Sequence, residues 1–349
     1  MRTAAEYVQL AEDALMDLVR KEGAILFREA EAKISDARWP TIPTQVNPHH
    51  LTTARSRLIQ RDWIVLSDPI DDSGTRVLMP SDQKGRRSDI RDALRRRAAL
   101  HKRMDKWARP TSRYRNGLIG EAGERVARKS LVAAAQPGVR PVNAGAAEVV
   151  ALFGTPVPGG SLDSGAWVDF YDEYGQATGS ILCPIEVKNI RHWIYPGSHE
   201  LFQLLYKAAE LQEAAPDLRI CPVLVTRKRA WIADRMSREL GFRILDVHKQ
   251  YILPIAEVTE EELAEVQQEL GYQDLTRTDD VDPSLAQVFG GTMRSSAAHN
   301  ADAWKVAGSQ LGEHYGLLRD PGLSEAERAQ GMEDLRDEAE WLGVREDRW

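Results

Sequence analysis

The sequence predicts a mixed α/β protein: a central mixed sheet flanked by helices, preceded by a small helical domain that ends in a hairpin and followed by a helical extension. Three observations predict it. Segment 116–255 runs through helical and strand-forming stretches in the order α-β-β-α-β-α-β, the pattern of a mixed sheet covered on both faces. Residues 1–80 read as three helices and a β-hairpin. Residues 256–349 are acidic and helical in pattern. A chain of 349 residues, 42% of them hydrophobic, has room for two domains or three. No apolar run approaches the length of a membrane span, and Met1-Arg-Thr-Ala-Ala-Glu-Tyr lacks the apolar core of a signal peptide. Two cysteines, Cys183 and Cys221, are too few for a disulfide scaffold and read as buried small hydrophobes. The expected compartment is the cytoplasm, with no membrane partner.

The elements follow in order. Ala4 to Glu22 is helical through Tyr7, Leu10, Leu15, Leu18 and Val19, with Gly23 as its stop. A short helix covers about 25–35. Asn47-Pro48 opens a third, 48–60, because Asn caps well and Pro suits the first turn. It carries His49, His50, Thr52, Thr53, Arg55, Arg57 and Gln60 around a thin apolar stripe of Leu51, Ala54 and Leu58. Trp63-Ile-Val-Leu66 and Thr75-Arg-Val-Leu-Met79 flank an Asp/Gly turn and form a hairpin. Residues 83–115 read as a basic connecting helix ended by Pro110. Within 116–255 come a helix from Gly117 to Leu131, a Gly/Pro/Ala-rich stretch to about Gly160, a hairpin through Trp167–Tyr171 and Ile181–Lys188, a helix 200–213, a strand 220–225, a helix 231–240 and a strand 243–247. Beyond it, Glu260 begins a helix, 273–300 reads as linker, and helices lie near 301–316 and 324–342. Trp304, Tyr315, Leu317 and Trp341 there imply packing against the central domain or a partner chain.

The net charge of −7 hides an asymmetry. From Lys84 to Arg115 thirteen Lys or Arg face three Asp, whereas from Glu257 to Trp349 there are 22 acidic and eight basic residues. The field that attracts phosphates is local on the scale of the Debye length, so the basic run points to nucleic acid despite the acidic total. Arg95, Arg96, Lys102 and Arg103 are its candidate backbone contacts.

The densest chemistry lies in the central hairpin. Residues two apart on a strand share a face, so Glu186 and Lys188 point together and Val187 points the other way. If the hairpin pairs, Asp169 reaches the same surface. Asp172, nearer the turn and on the other side, and Asp163 compete with Asp169, which is preferred. Two carboxylates beside a lysine make an oxygen-ligand site for Mg²⁺ or Mn²⁺, the set that phosphodiester hydrolysis requires.

The order of elements and the Asp169…Glu186-Val187-Lys188 signature resemble the PD-(D/E)XK nuclease superfamily over about 135 residues. The resemblance implies a restriction-endonuclease-like core in 116–255. It implies that Asp169 and Glu186 bind the metal with the Val187 carbonyl, that Glu124 (or Glu121) adds an acid from the first core helix, and that Gln203 is a further polar site residue. Lys188 would orient or deprotonate the attacking water, or stabilise the charge of the transition state; these roles stay open. Arg191 is a candidate phosphate clamp. Residues 1–82 resemble a winged helix-turn-helix, which implies DNA reading by helix 48–60 through His49, His50, Thr52, Thr53, Arg55 and Arg57, with 68–76 as the wing. Together these imply a metal-dependent DNA endonuclease of restriction or phage-defence type, a homodimer, with a separate ATPase or defence subunit as partner. The alternatives are a catalytically degenerate DNA-binding regulator or assembly subunit, a repair or junction-resolving enzyme, and an RNA nuclease. Residues 256–349 are then an acidic helical extension.

Overall fold

A computed structural model describes residues 2–37, 39–81, 87–135, 138–143, 148–152, 154–344 and 349. Residues 83–86 of the expected linker helix, and parts of the Gly/Pro/Ala-rich stretch (136–137, 144–147 and 153), lie outside that set. The protein is mixed α/β and its main sheet is flanked by helices. It divides into two compact units, Met1–Leu118 with Ile255–Leu275, and Ile119–Pro254 with Thr276–Trp349.

In the first unit α1 (Ala4–Glu22) starts at a Thr3/Glu6 capping box and ends at Gly23. A short β1 (Ile25–Leu26) leads into α2 (Phe27–Ala30) and a π-helical turn, Glu31–Asp36. Asn47 caps α3 (Pro48–Gln60) by accepting from the His49 N–H at 3.3 Å. The thin stripe Leu51, Ala54 and Leu58 is fully buried, packed with Leu15, Leu18 and Val19 of α1. Strands β2 (Ile64–Leu66) and β3 (Val77–Pro80) pair antiparallel, and β1 adds to the other edge of β3.

The basic helix α4 (Arg87–Ala108) is not an exposed linker, because it packs into this unit. Ile90, Arg97, Leu100 and Trp107 form one buried stripe. Arg97 is 1% exposed and donates to Glu29 at 3.0 Å, Glu22 at 2.9 Å and Glu269 at 2.9 Å. The triad Arg95-Arg96-Arg97 looks like charge all round, but at ~100° per residue only one of three consecutive side chains lies on the inner face. Glu269 belongs to α8 (Glu260–Leu270), which starts at a Thr259/Glu262 capping box. The acidic C-terminal third is therefore shared: residues 255–275 belong with the first unit and the remainder with the second.

The second unit opens with α5 (Gly117–Ala133), then β4 (Val139–Pro141) and the small hairpin β5 (Ala151–Leu152) and β6 (Thr155–Pro156). The long strands β7 (Ser164–Tyr171) and β8 (Ala177–Lys188) follow, then α6 (His199–Ala214), β9 (Val223–Thr226), α7 (Trp231–Glu239) and β10 (Arg243–Asp246). The five-stranded sheet has the order β10-β9-β8-β7-β4. Strands β4, β7 and β8 pair antiparallel, whereas β8, β9 and β10 run parallel. The inner side of α6 (Leu201, Phe202, Leu204, Leu205) packs on Leu182, Leu224 and Ile244 of the sheet. Both cysteines are buried and free.

Segment 273–300 is not a plain linker. Asp282 caps α9 (Pro283–Val288) by accepting from the N–H groups of Ser284 and Leu285. The helix continues through a π turn, Phe289–Met293, into α10 (Arg294–Gln310). Leu285, Phe289, Met293 and Ala297 recur every fourth residue and are buried, a helical stripe inside a polar composition. Then come α11 (Gly312–Leu318) and α12 (Glu325–Trp341). Tyr315 is buried between Phe202 and Trp304 in the unit's own core, whereas Leu317 and Trp341 are exposed. Among the described residues no helix is long and apolar enough to cross a membrane.

Candidate active site

The β7–β8 hairpin turns at 172–176, where the Asp172 carboxylate accepts from the N–H groups of Tyr174 and Gln176. A β-bulge next to that turn sets the register: Tyr171 stands opposite Ala177 but Phe170 opposite Gly179, so Thr178 is an extra residue on β8. Ser164 stands opposite Ile185 and Asp169 opposite Ser180. One step before Ser164, Asp163 therefore stands opposite Glu186, and opposite residues of an antiparallel pair share a face. Asp163 is the carboxylate that meets the Glu-x-Lys. Asp169 is not: it shares the face but lies six residues along the strand, about 20 Å away at ~3.3 Å per residue. Its carboxylate is taken by Arg140 (2.5 and 3.0 Å) and by the Ser180 hydroxyl at 2.6 Å. The Arg140 guanidinium holds the Asp169 carboxyl below the usual range.

Asp163 accepts from the Val187 N–H at 2.7 Å. Arg128 of α5 donates to the Asp163 carbonyl at 3.1 Å and to Glu124 at 3.3 Å. Glu124 is buried on α5, one residue after Gly123, where a Cβ would lie 2.4 Å from Cβ of Asn189. Only glycine lets α5 come this close to the end of β8. Burial, with Glu186 and Glu124 alongside, pushes the Asp163 carboxyl well above its ordinary value.

Helix α6 lays a row of polar side chains along β8. Gln203 accepts from Lys188 at 2.8 Å. One turn on, Lys207 donates to Glu186 and to the Ser161 carbonyl. Lys188 lies 3.6 Å from the other Glu186 oxygen. At the near end of the row Glu200 holds His192 at 2.9 Å, and although burial raises its carboxyl, the His192 contacts bring it down to about 2. Glu186, Lys188, Gln203 and Lys207 line a cavity of about 550 Å³, with Gly159, Gly316, Arg319, Asp320 and Pro321 completing it. Lys207 was not singled out in the sequence; its signal was the i, i+4 spacing from Gln203. Arg191 is buried, away from that lining, its carbonyl accepting from Arg227.

In the first unit the outer face of α3 is exposed at His49, Thr52, Thr53, Ser56 and Arg57. His50 stacks on Tyr7, and partial burial holds its imidazole below the usual value. Arg57 lies 3.6 Å from Glu12, and Arg55 stacks on Phe27 at 4.3 Å. A cleft of about 540 Å³ between α3 and the hairpin is lined by Arg55, Ser56, Gln60 and Arg76. On α4, Arg96 faces Glu269 at 3.5 Å and Arg103 faces Glu262 and Glu265, so the unit's own acidic helix covers half of the expected phosphate contacts. Lys102 and Arg95 stay exposed, Arg95 beside Asp92 at 3.5 Å.

Comparison of the chain with family models, with curated proteins and with solved structures finds no match.

Proposed function

We propose that this chain is a metal-dependent nuclease of the PD-(D/E)XK kind that hydrolyses DNA phosphodiester bonds, with its first unit a winged-helix DNA reader. One observation carries the reading: the β7–β8 register sets Asp163 against Glu186, with Lys188 on the same face and Glu124 beside them. The order α5-β4-β7-β8-α6-β9, with β8 shared between an antiparallel and a parallel neighbour, supports it.

The residues fit a hard divalent cation. Among the described residues no three His, Cys, Asp or Glu side chains form a ready cage. Mg²⁺ needs none, since one or two carboxylates suffice when waters and substrate phosphate complete its shell. Asp163 and Glu186 would hold it with the Val187 carbonyl, and a cation would offset the crowding of carboxylates that raises Asp163. When bound, it polarises a phosphoryl oxygen and lowers the pKa of the attacking water. Lys188, steadied by Gln203, places an ammonium where charge develops on the phosphorus oxygens. Lys207 would shift from Glu186 toward the substrate phosphate. By analogy of domain pairing, restriction or phage defence is the setting.

A second reading, a catalytically silent DNA-binding subunit, draws on the ion pairs that close Glu186 onto Lys188 and Lys207. Plasmid and phage DNA, modified and unmodified, incubated with Mg²⁺, Mn²⁺ or EDTA separate the two. The expected result is cutting with either metal, none in EDTA, and a loss of at least about a hundredfold in Lys188→Ala. No cutting by the wild-type protein on any substrate favours the silent subunit.

A further inference from the structure

The cavity beside Glu186 is completed by the C-terminal arm of the second unit, which the nuclease reading does not use. Tyr206 of α6 lies between two glycines: a Cβ on Gly159 would come within 3.0 Å of its ring, and one on Gly316 within 3.3 Å. On that ring rests the Arg319 guanidinium, 3.7 Å from the centroid. Arg319 directly follows α11 and lines the same cavity as Lys188 and Lys207. Among the described residues no carboxylate pairs with it. Asp320, next in the chain, turns its carboxylate to the Gly322 N–H at 2.8 Å. Arg328 fastens the turn, donating to the carbonyls of Leu318 at 2.8 Å, Asp320 at 2.5 Å and Gly197 at 3.3 Å. A stacked guanidinium keeps its donor edge free while losing little freedom on binding, which suits it to grip a phosphate.

We propose that Arg319 is a phosphate clamp, binding a nucleic-acid phosphate next to the one that faces Lys188. The C-terminal arm is then part of the substrate site. The position of that neighbouring phosphate rests on the nuclease reading; anion binding by the cavity does not.

The test uses the full chain and a fluorescent, 5′-phosphorylated DNA tetranucleotide. Binding is followed by anisotropy in EDTA at several salt concentrations, and cleavage is measured with Mg²⁺. Arg319→Gln keeps a planar, stackable group without charge, and Arg319→Lys keeps charge without the fork. The expected result is about tenfold weaker binding in Arg319→Gln, with a salt slope lower by about 0.7, the share of one phosphate contact on a single strand. Arg319→Lys should keep the slope and lose less affinity. With metal, Arg319→Gln should raise KM and leave kcat nearly unchanged. Wild-type affinity and slope in a folded Arg319→Gln overturn the clamp, whatever the cleavage assay gives, and so does a wild-type chain that does not bind the tetranucleotide. Weaker binding in Arg319→Gln without any wild-type cutting keeps the clamp and removes the nuclease reading.

Discussion

Asp163→Asn is expected to lower cleavage by about 10³-fold or more, while Asp169→Asn cuts within about twofold of wild type. Stability should move the opposite way. Asn at 163 can still accept from the Val187 N–H and removes a charge crowded by Glu186 and Glu124, so the melting temperature should not fall. Asn at 169 loses a charged acceptor that takes two bonds from Arg140 and one from Ser180. Arg140 is 59% exposed, so solvent screens the pair and the loss should be about 1–2 kcal/mol at neutral pH. The pH dependence follows from the sign of the shift. Asp169 has a folded pKa below the ordinary 3.8, so its stabilisation is complete above that value and is lost as pH falls through the lower folded value. Urea unfolding should therefore show a wild-type advantage over Asp169→Asn that persists to about pH 4 and disappears below. Loss of cleavage in Asp169→Asn at unchanged stability would return the metal site to the far end of the hairpin and remove the role assigned to Asp163.

How far the sequence could be read depended on whether a feature is local. The Asn47 cap, the stripe Leu51, Ala54 and Leu58, and the bounds of α1 and α3 follow from residues within a few turns of each other, and each was legible. Glu186, Lys188 and Gln203 were also legible as neighbours, because strand alternation and the following helix place them on one surface. Strand alternation leaves both Asp163 and Asp169 on the face of Glu186, so it cannot tell which of them stands beside it. The turn at Asp172–Gln176 alone would bring Asp163 opposite Ile185; a β-bulge beside it, where Tyr171 stands opposite Ala177 but Phe170 opposite Gly179, adds one residue to β8 and brings Asp163 opposite Glu186 instead. Arg97 and the helix at 283–310 were missed for a different reason. Composition averages over a segment, whereas burial selects one side chain per turn. The part played by Arg319 depends on α11 meeting α6 more than a hundred residues away in sequence, which no short-range pattern encodes.

Arg97→Ala is expected to cost about 3–5 kcal/mol, the usual consequence of removing one partner from a buried ion pair. Arg97 and Glu29 are both within 1% of complete burial, and Arg97 contacts Glu29 through two nitrogens at 3.0 Å. Lys33 remains at 2.7 Å, but it cannot replace the planar fork. Burial already raises the Glu29 carboxyl above its ordinary value despite both cations. Without Arg97 the shift must grow. A carboxylate with a raised folded pKa weighs against folding most at a pH above that pKa, and this cost fades as pH falls toward the unfolded value. The Arg97→Ala deficit should therefore be larger at pH 8 than at pH 5, measured by urea unfolding. Adding Glu29→Gln to Arg97→Met should recover most of the loss, because the cost lies in the stranded charge more than in the missing bonds. A deficit below about 1 kcal/mol, or one that does not change between the two pH values, would mean that water reaches Glu29 and that α4 is held to its unit by apolar packing of Ile90, Leu100 and Trp107 alone.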